Sequence, residues 1–221
     1  MSEAVSPLRA GDGGAVLPVG DDPHMEGSGT QRLEAFSDGV FAIAATLLVL
    51  EFTVTSGHDL GSQLLDLWPA YLAYATSFLT IGIIWMNHHF CVETMARADR
   101  VLMFLNLLLL LTVAFLPFPT RLVALYLQHG GEQAAVYAYD ATFVLMAVVY
   151  NGWWRYASGG RRLIAEGVPD SAVRAITRAF APGVPMYGTA VLIAIWSPLA
   201  SVALTFAIAA FYLPSAALFD R

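Results

Sequence analysis

Six apolar stretches, each long enough to cross a bilayer as a helix, leave this chain few alternatives. They run over about 34–54, 67–91, 100–119, 132–154, 173–196 and 198–219, and a hydrocarbon core about 30 Å thick asks for about 20 residues of helix. Within hydrocarbon every backbone N–H and C=O must find its partner inside the protein, which a helix achieves by itself. The sequence therefore predicts an all-α protein of six transmembrane helices. Hydrophobic residues are 57% of the 221 and charged residues only 13%, so residues 32–221 form one membrane domain with no room for a separate soluble one. Residues 1–31 are rich in Gly, Pro, Asp and Ser, hold only the short apolar run Ala15–Val19, and are expected to be a disordered cytosolic tail.

Orientation follows from the arginines. Every one of the 11 basic residues is arginine, and all but Arg121 fall on one side: Arg9 and Arg32 before the first segment, Arg97 and Arg100 between the second and third, Arg155, Arg161, Arg162, Arg174 and Arg178 around the fourth connection, and Arg221 at the end. The positive-inside bias places both termini in the cytosol of a multi-pass cell-membrane protein. Trp68 and Trp196 then fall at the outer interface, and Trp153 and Trp154 at the inner one, as an aromatic belt would have them.

The first segment carries a carboxylate that needs a reason. Asp38 lies about one turn inside hydrocarbon, where insertion scales charge about 2.5–3.5 kcal/mol, so it should pair with protein groups. At the same depth the second segment ends on His88 and His89, and the third begins near Arg97, Asp99, Arg100 and Asn106. A polar cluster of Arg32, Ser37, Asp38, His88 and His89 with groups of the third segment would satisfy them mutually. Such a cluster can serve as structural glue through charge-assisted hydrogen bonds. It can also serve as a proton relay, because an imidazole beside a carboxylate titrates near physiological pH. A metal site fits less well, since adjacent histidines on a helix point about 100° apart.

Counting about 100° per residue from Ile43, the residues Gly39, Thr46, Leu47, Leu50 and Val54 fall within about 60° of one line, and Asp38 falls about 140° away. The aspartate and the apolar stripe therefore face different surroundings. The stripe can meet lipid, or it can meet the same helix of neighbouring subunits, where rings of Ile and Leu constrict a pore and gate it by dewetting. Small residues such as Gly39 and Ala42 permit close approach.

The run Arg32-xxx-Phe36-Ser37-Asp38-Gly39, continued from Phe41 to Glu51 and joined by Trp85-Met86-Asn87-His88-His89, resembles the transmembrane protein 175 family of potassium channels. The resemblance implies a cation channel that prefers potassium modestly over sodium, lined by the first helix and constricted by apolar side chains instead of a carbonyl filter loop. It implies Ile43 as the main constriction, Leu47 and Leu50 as further apolar layers, and Thr46 in selectivity. It also implies that Arg32 and Asp38 contact His88 and His89. A single six-helix repeat resembles the bacterial, homotetrameric form, with identical subunits as partners, the bilayer as surroundings, potassium as permeant ion and no cofactor. One lining helix per chain cannot enclose a pathway alone, so conduction requires a symmetric oligomer. The rival reading is a proton-coupled or proton-conducting transporter using Asp38, His88 and His89.

No Gly-x-Ser-x-Gly, His-Glu-x-x-His, P-loop or dinucleotide fingerprint occurs, so an enzyme is not expected. The arginine clusters lack interleaved aromatics, which removes support for nucleic-acid binding. Cys91, the single cysteine, reads as an inert small hydrophobe. Asp140, in the fourth segment, is either a satisfied polar contact or part of an outer vestibule, and Glu51 closes the first helix at the outer side. Pro117 and Pro119 are expected to end the third helix, and Pro182-Gly183-Val184-Pro185 to kink the fifth.

Overall fold

Residues 23–54, 56 and 59–218 are described by a computed structural model, in which every regular element is helical apart from one isolated two-residue bridge. Helix α1 (Pro23–Leu47) tightens into a 3-10 turn over Leu48–Glu51. Next come α2 (Leu60–Asp66), α3 (Trp68–Glu93), α4 (Arg100–Phe115) and α5 (Pro117–Tyr126). The chain continues through α6 (Glu132–Ser158), α7 (Asp170–Phe180), α8 (Gly183–Ile193) and α9 (Pro198–Leu218).

Among the described residues four stretches are long and apolar enough to cross a membrane, namely Gly29–Glu51, Trp68–Glu93, Arg100–Tyr126 and Glu132–Arg161. The fifth apolar segment is divided where the Pro-Gly-Val-Pro run was expected to kink it, leaving α7 and α8 at 11 residues each. Proline lacks the N–H that would continue the ladder, so the helix breaks there. Pro117 and Pro119, by contrast, do not end the third segment. Leu116 keeps right-handed helical angles (φ −56°, ψ −36°), and the prolines occupy the first turn of α5, where their missing donors are not needed. The tail expected over 1–31 also needs correction: residues 1–22 lie outside the described residues, but α1 already begins at Pro23, whose fixed φ suits a first helical position.

Polar contacts show how the rods are stacked. Ser77, early in α3, bonds to Thr120 Oγ1 of α5 at 2.8 Å and to the Tyr139 hydroxyl of α6 at 3.0 Å. His88, late in α3, bonds to Asn106, early in α4. Successive long helices therefore run antiparallel. Helix α6 is the central post, contacted by α4, α5, α7, α8 and α9, whereas α1 leans mainly on α3 and α4, with a lesser contact to α5.

Trp153 and Trp154 do not form an interfacial belt. Both are fully buried: Trp153 stacks on His88 with centroids 4.9 Å apart, and the Trp154 indole donates to Thr177 Oγ1 of α7 at 2.9 Å. The two rings fill the spaces that α6 shares with α3 and with α7, so burial outweighs the preference of tryptophan for the headgroup region. Trp196 is 79% exposed in the chain, as an interfacial residue would be.

At the arginine-rich end, two loops are tied backbone to backbone. Ala96 N–H donates to Leu163 O at 2.9 Å and Ala165 N–H to Thr94 O at 3.0 Å, around an antiparallel bridge between Met95 and Ile164. Asp99 caps α4 by accepting from Leu102 N–H at 2.8 Å, and also accepts from the Tyr156 hydroxyl of α6 at 2.7 Å. The Arg162 guanidinium sits 4.7 Å above that Tyr156 ring. Burial pushes the Asp99 carboxyl up, but the donors from Leu102, Tyr156 and Val101, with the Arg162 charge, hold it below the usual carboxylate range.

Candidate functional site

Helix α1 has two distinct faces. Leu33, Ser37, Phe41, Ala44 and Leu48 are buried, at the spacing of one helical stripe, and pack toward α3 and α4. On the other face Gly39, Ala42, Ile43, Thr46, Leu47 and Leu50 are exposed, with Ile43 at 61% and Leu50 at 66%. The Thr46 hydroxyl donates back to Ile43 O at 2.9 Å, which satisfies it within its own helix. Phe36, within the sequence motif, also points outward.

The predicted polar cluster is not one cluster. One part is a buried, directed chain: His88 Nε2–H donates to Asn106 Oδ1 at 2.8 Å, Asn106 Nδ2–H donates to Ser37 Oγ at 2.9 Å, and Ser37 Oγ–H donates to Leu33 O at 2.7 Å. This order assigns the hydrogen of the His88 ring to Nε2. The other nitrogen, Nδ1, is buried without a partner, so a second hydrogen there would have no acceptor. His88 is further clamped between Phe41 and Trp153.

Asp38 does not join that chain. It accepts from the Trp85 indole N–H of α3 at 2.9 Å, at the end of a crevice of about 450 Å³ between α1 and α3 lined by Phe41, Ala42, Ala45, Phe78, Ile81 and Gly82. His89 belongs to a third group: its Nδ1 pairs with Glu34 of α1, and its Nε2 lies 3.5 Å from Glu93 one turn on. Arg32 is exposed and joins none of these contacts among the described residues. The separation has a simple cause, since neighbours such as Ser37 and Asp38, or His88 and His89, diverge by about 100° around a helix. Among the described residues no group of three or more His, Cys, Asp or Glu side chains is placed to hold a metal ion.

Two partners were not assigned from sequence, Trp85 to Asp38 and Glu34 to His89. The signal for Glu34 was its place one turn before Asp38. At the opposite end, Glu51 pairs with Arg121 at 3.7 Å, joining the end of α1 to the one arginine of that side. Ser77, Thr120 and Tyr139 form a second buried polar layer there.

An all-helical, multi-pass membrane protein that turns an apolar stripe of its first helix away from its own bundle is the class this architecture defines. The model of the endosomal/lysosomal potassium channel TMEM175 family matches residues 32–117. A potassium channel of Chamaesiphon minutus is 42% identical over 192 residues, covering 85% of this chain and 95% of that one. The crystal structure of a lysosomal potassium-selective channel TMEM175 homologue from the same organism superposes with a TM-score of 0.77 at 40% identity, covering 85% of this chain and 97% of that one. The chain belongs to the TMEM175 family, a family of ion channels and not of enzymes. The human endosomal/lysosomal proton channel TMEM175 is 30% identical over 132 residues, and the match spans 26% of its length.

Proposed function

We propose that the chain forms a homotetrameric cation channel of the cell membrane, modestly selective for potassium over sodium, with six crossings per subunit and both termini in the cytosol. The outward stripe of α1 lines the pore, Ile43 forms the tightest ring, Leu47 and Leu50 add apolar layers, and Thr46 contributes to selectivity. No cofactor takes part; potassium is the permeant ion. The observation that carries this reading is the exposure of Ile43 and Leu50 on a helix whose opposite face is packed. The stripe matches the positions the family resemblance assigns to the pore, and relatives over the whole membrane domain are named potassium channels. A bulky apolar ring dewets readily, which gates conduction without a moving plug. The polar groups at the cytosolic end act as anchors that hold α1 against α3 and α4.

A second reading is proton conduction, favoured by the name of the human relative. Purified protein in planar bilayers distinguishes them. Under opposed potassium and sodium gradients at equal pH, a reversal potential shifted toward the potassium equilibrium value supports the channel proposed here. A reversal potential that follows only the pH gradient supports proton conduction and overturns it.

A further inference from the structure

Asp140 lies about two turns into α6, fully buried, and among the described residues it has no ion pair. Two hydroxyls of α9 surround it. Ser201 Oγ is 2.5 Å from Asp140 Oδ2 and 2.6 Å from the Ala190 carbonyl oxygen of α8. Thr205 Oγ1 is 3.2 Å from Asp140 Oδ1 and 3.0 Å from Ser201 O. A hydroxyl carries one hydrogen, and an ionised carboxylate carries none. Ser201 can therefore donate to Asp140 or to Ala190, but not to both. If Asp140 were ionised, one of the two short contacts of Ser201 would set oxygen lone pairs against each other in a site shielded from water. Leaving buried polar atoms so mismatched is costly.

One additional hydrogen resolves the count. With a proton on Oδ2, Asp140 donates to Ser201 Oγ, Ser201 donates to Ala190 O, and Thr205 donates to Ser201 O or to Asp140 Oδ1. Both short contacts of Ser201 then have their donor, and the two longer contacts of Thr205 share its single hydrogen. We propose that Asp140 is a resident proton-binding site, a neutral carboxylic acid that ties α6 to α8 and α9 by a hydrogen-bond relay.

The surroundings agree with a neutral group. Among the described residues no charged side chain acts on Asp140, and its hydrogen-bond partners are the hydroxyls of Ser201 and Thr205. The titratable neighbour is Tyr139 on its own helix, held by Ser77 and by the Ala73 carbonyl. The groups that hold Asp140 come from α8 and α9, and none comes from the α1 stripe. The proton is thus held as part of the bundle and is not in transit along the proposed pore.

Infrared spectroscopy of the full chain in liposomes at neutral pH tests this. The carbonyl stretch of a protonated aspartic acid should be present, should shift when the chain carries isotope-labelled aspartate, and should move to higher frequency in Ser201→Ala, which loses the hydrogen-bond partner. Asp140→Asn should melt with the wild type, because its amide N–H replaces the acid O–H toward Ser201, whereas Asp140→Ala should melt earlier. Absence of the band, a band insensitive to Ser201→Ala, or Asn melting as early as Ala would each overturn the proposal.

Discussion

The Trp85 indole N–H donates to Asp38 Oδ1 at 2.9 Å, and this bond from α3 adds to the buried face of α1 in setting its rotation about its own axis. With Asp38 held there and Ser37 buried beneath it, Gly39, Ile43, Thr46 and Leu50 turn outward.

Trp85→Phe keeps the ring and removes the donor. The expected loss is about 1 kcal/mol per subunit, the usual net worth of one intramolecular hydrogen bond. A lowered thermal midpoint with the potassium-to-sodium permeability ratio unchanged is the expected result.

Asp38→Ala should damage folding, assembly or gating more than selectivity. Chromatography of the purified oligomer and bilayer recordings give the two readings side by side. An altered permeability ratio in an intact assembly would show that the two faces of α1 do not divide the work as described.

Ile43→Asn places an amide on an exposed position, so it should fold as well as the wild type. If Ile43 forms the dewetting ring, conductance should rise because water enters the constriction more easily. Unchanged flux in well-folded protein would remove α1 from the pore.

Asn106→Leu cuts the buried chain between His88 and Ser37. The Nε2–H of His88 is then orphaned, at a cost of about 1–3 kcal/mol. Intrinsic fluorescence, which Trp153 reports from its place on the His88 ring, should show an earlier melt.

Asp99→Ala should cost about 1 kcal/mol through loss of the α4 cap. Its folded-state carboxyl titrates below the usual range, so its stabilisation is present above the unfolded-state value and fades as pH falls through the lowered one. The difference in melting temperature between wild type and Asp99→Ala should therefore shrink under acid conditions and persist at neutral pH.

The helical count about Ile43 separated Asp38 from the stripe because a helix has a fixed pitch, and the exposures of Ile43, Thr46, Leu47 and Leu50 follow it. The break at Pro182 was legible for the same local reason. What the sequence did not reveal depends on rotation and packing between helices. Depth along the membrane brought Asp38, His88 and His89 to one level, yet depth says nothing about direction: His88 turned inward to Asn106, and His89 turned outward to Glu34. Trp153 and Trp154 were misplaced likewise, because a position near a helix end is compatible with either the lipid interface or the core. The hydroxyls around Asp140 come from α9, 61 and 65 residues further along the chain, and no local pattern marks them.

The tie between Met95 and Ile164 is made by main-chain atoms, Ala96 N–H to Leu163 O and Ala165 N–H to Thr94 O. Its bonds do not depend on which side chains these loops carry, so the loops can drift in sequence while α3 and α6 remain stitched together at that end of the bundle. Proline at Ala96 or Ala165 is the exception, because it alone deletes the donor. This knot can therefore persist among relatives whose loop residues share nothing.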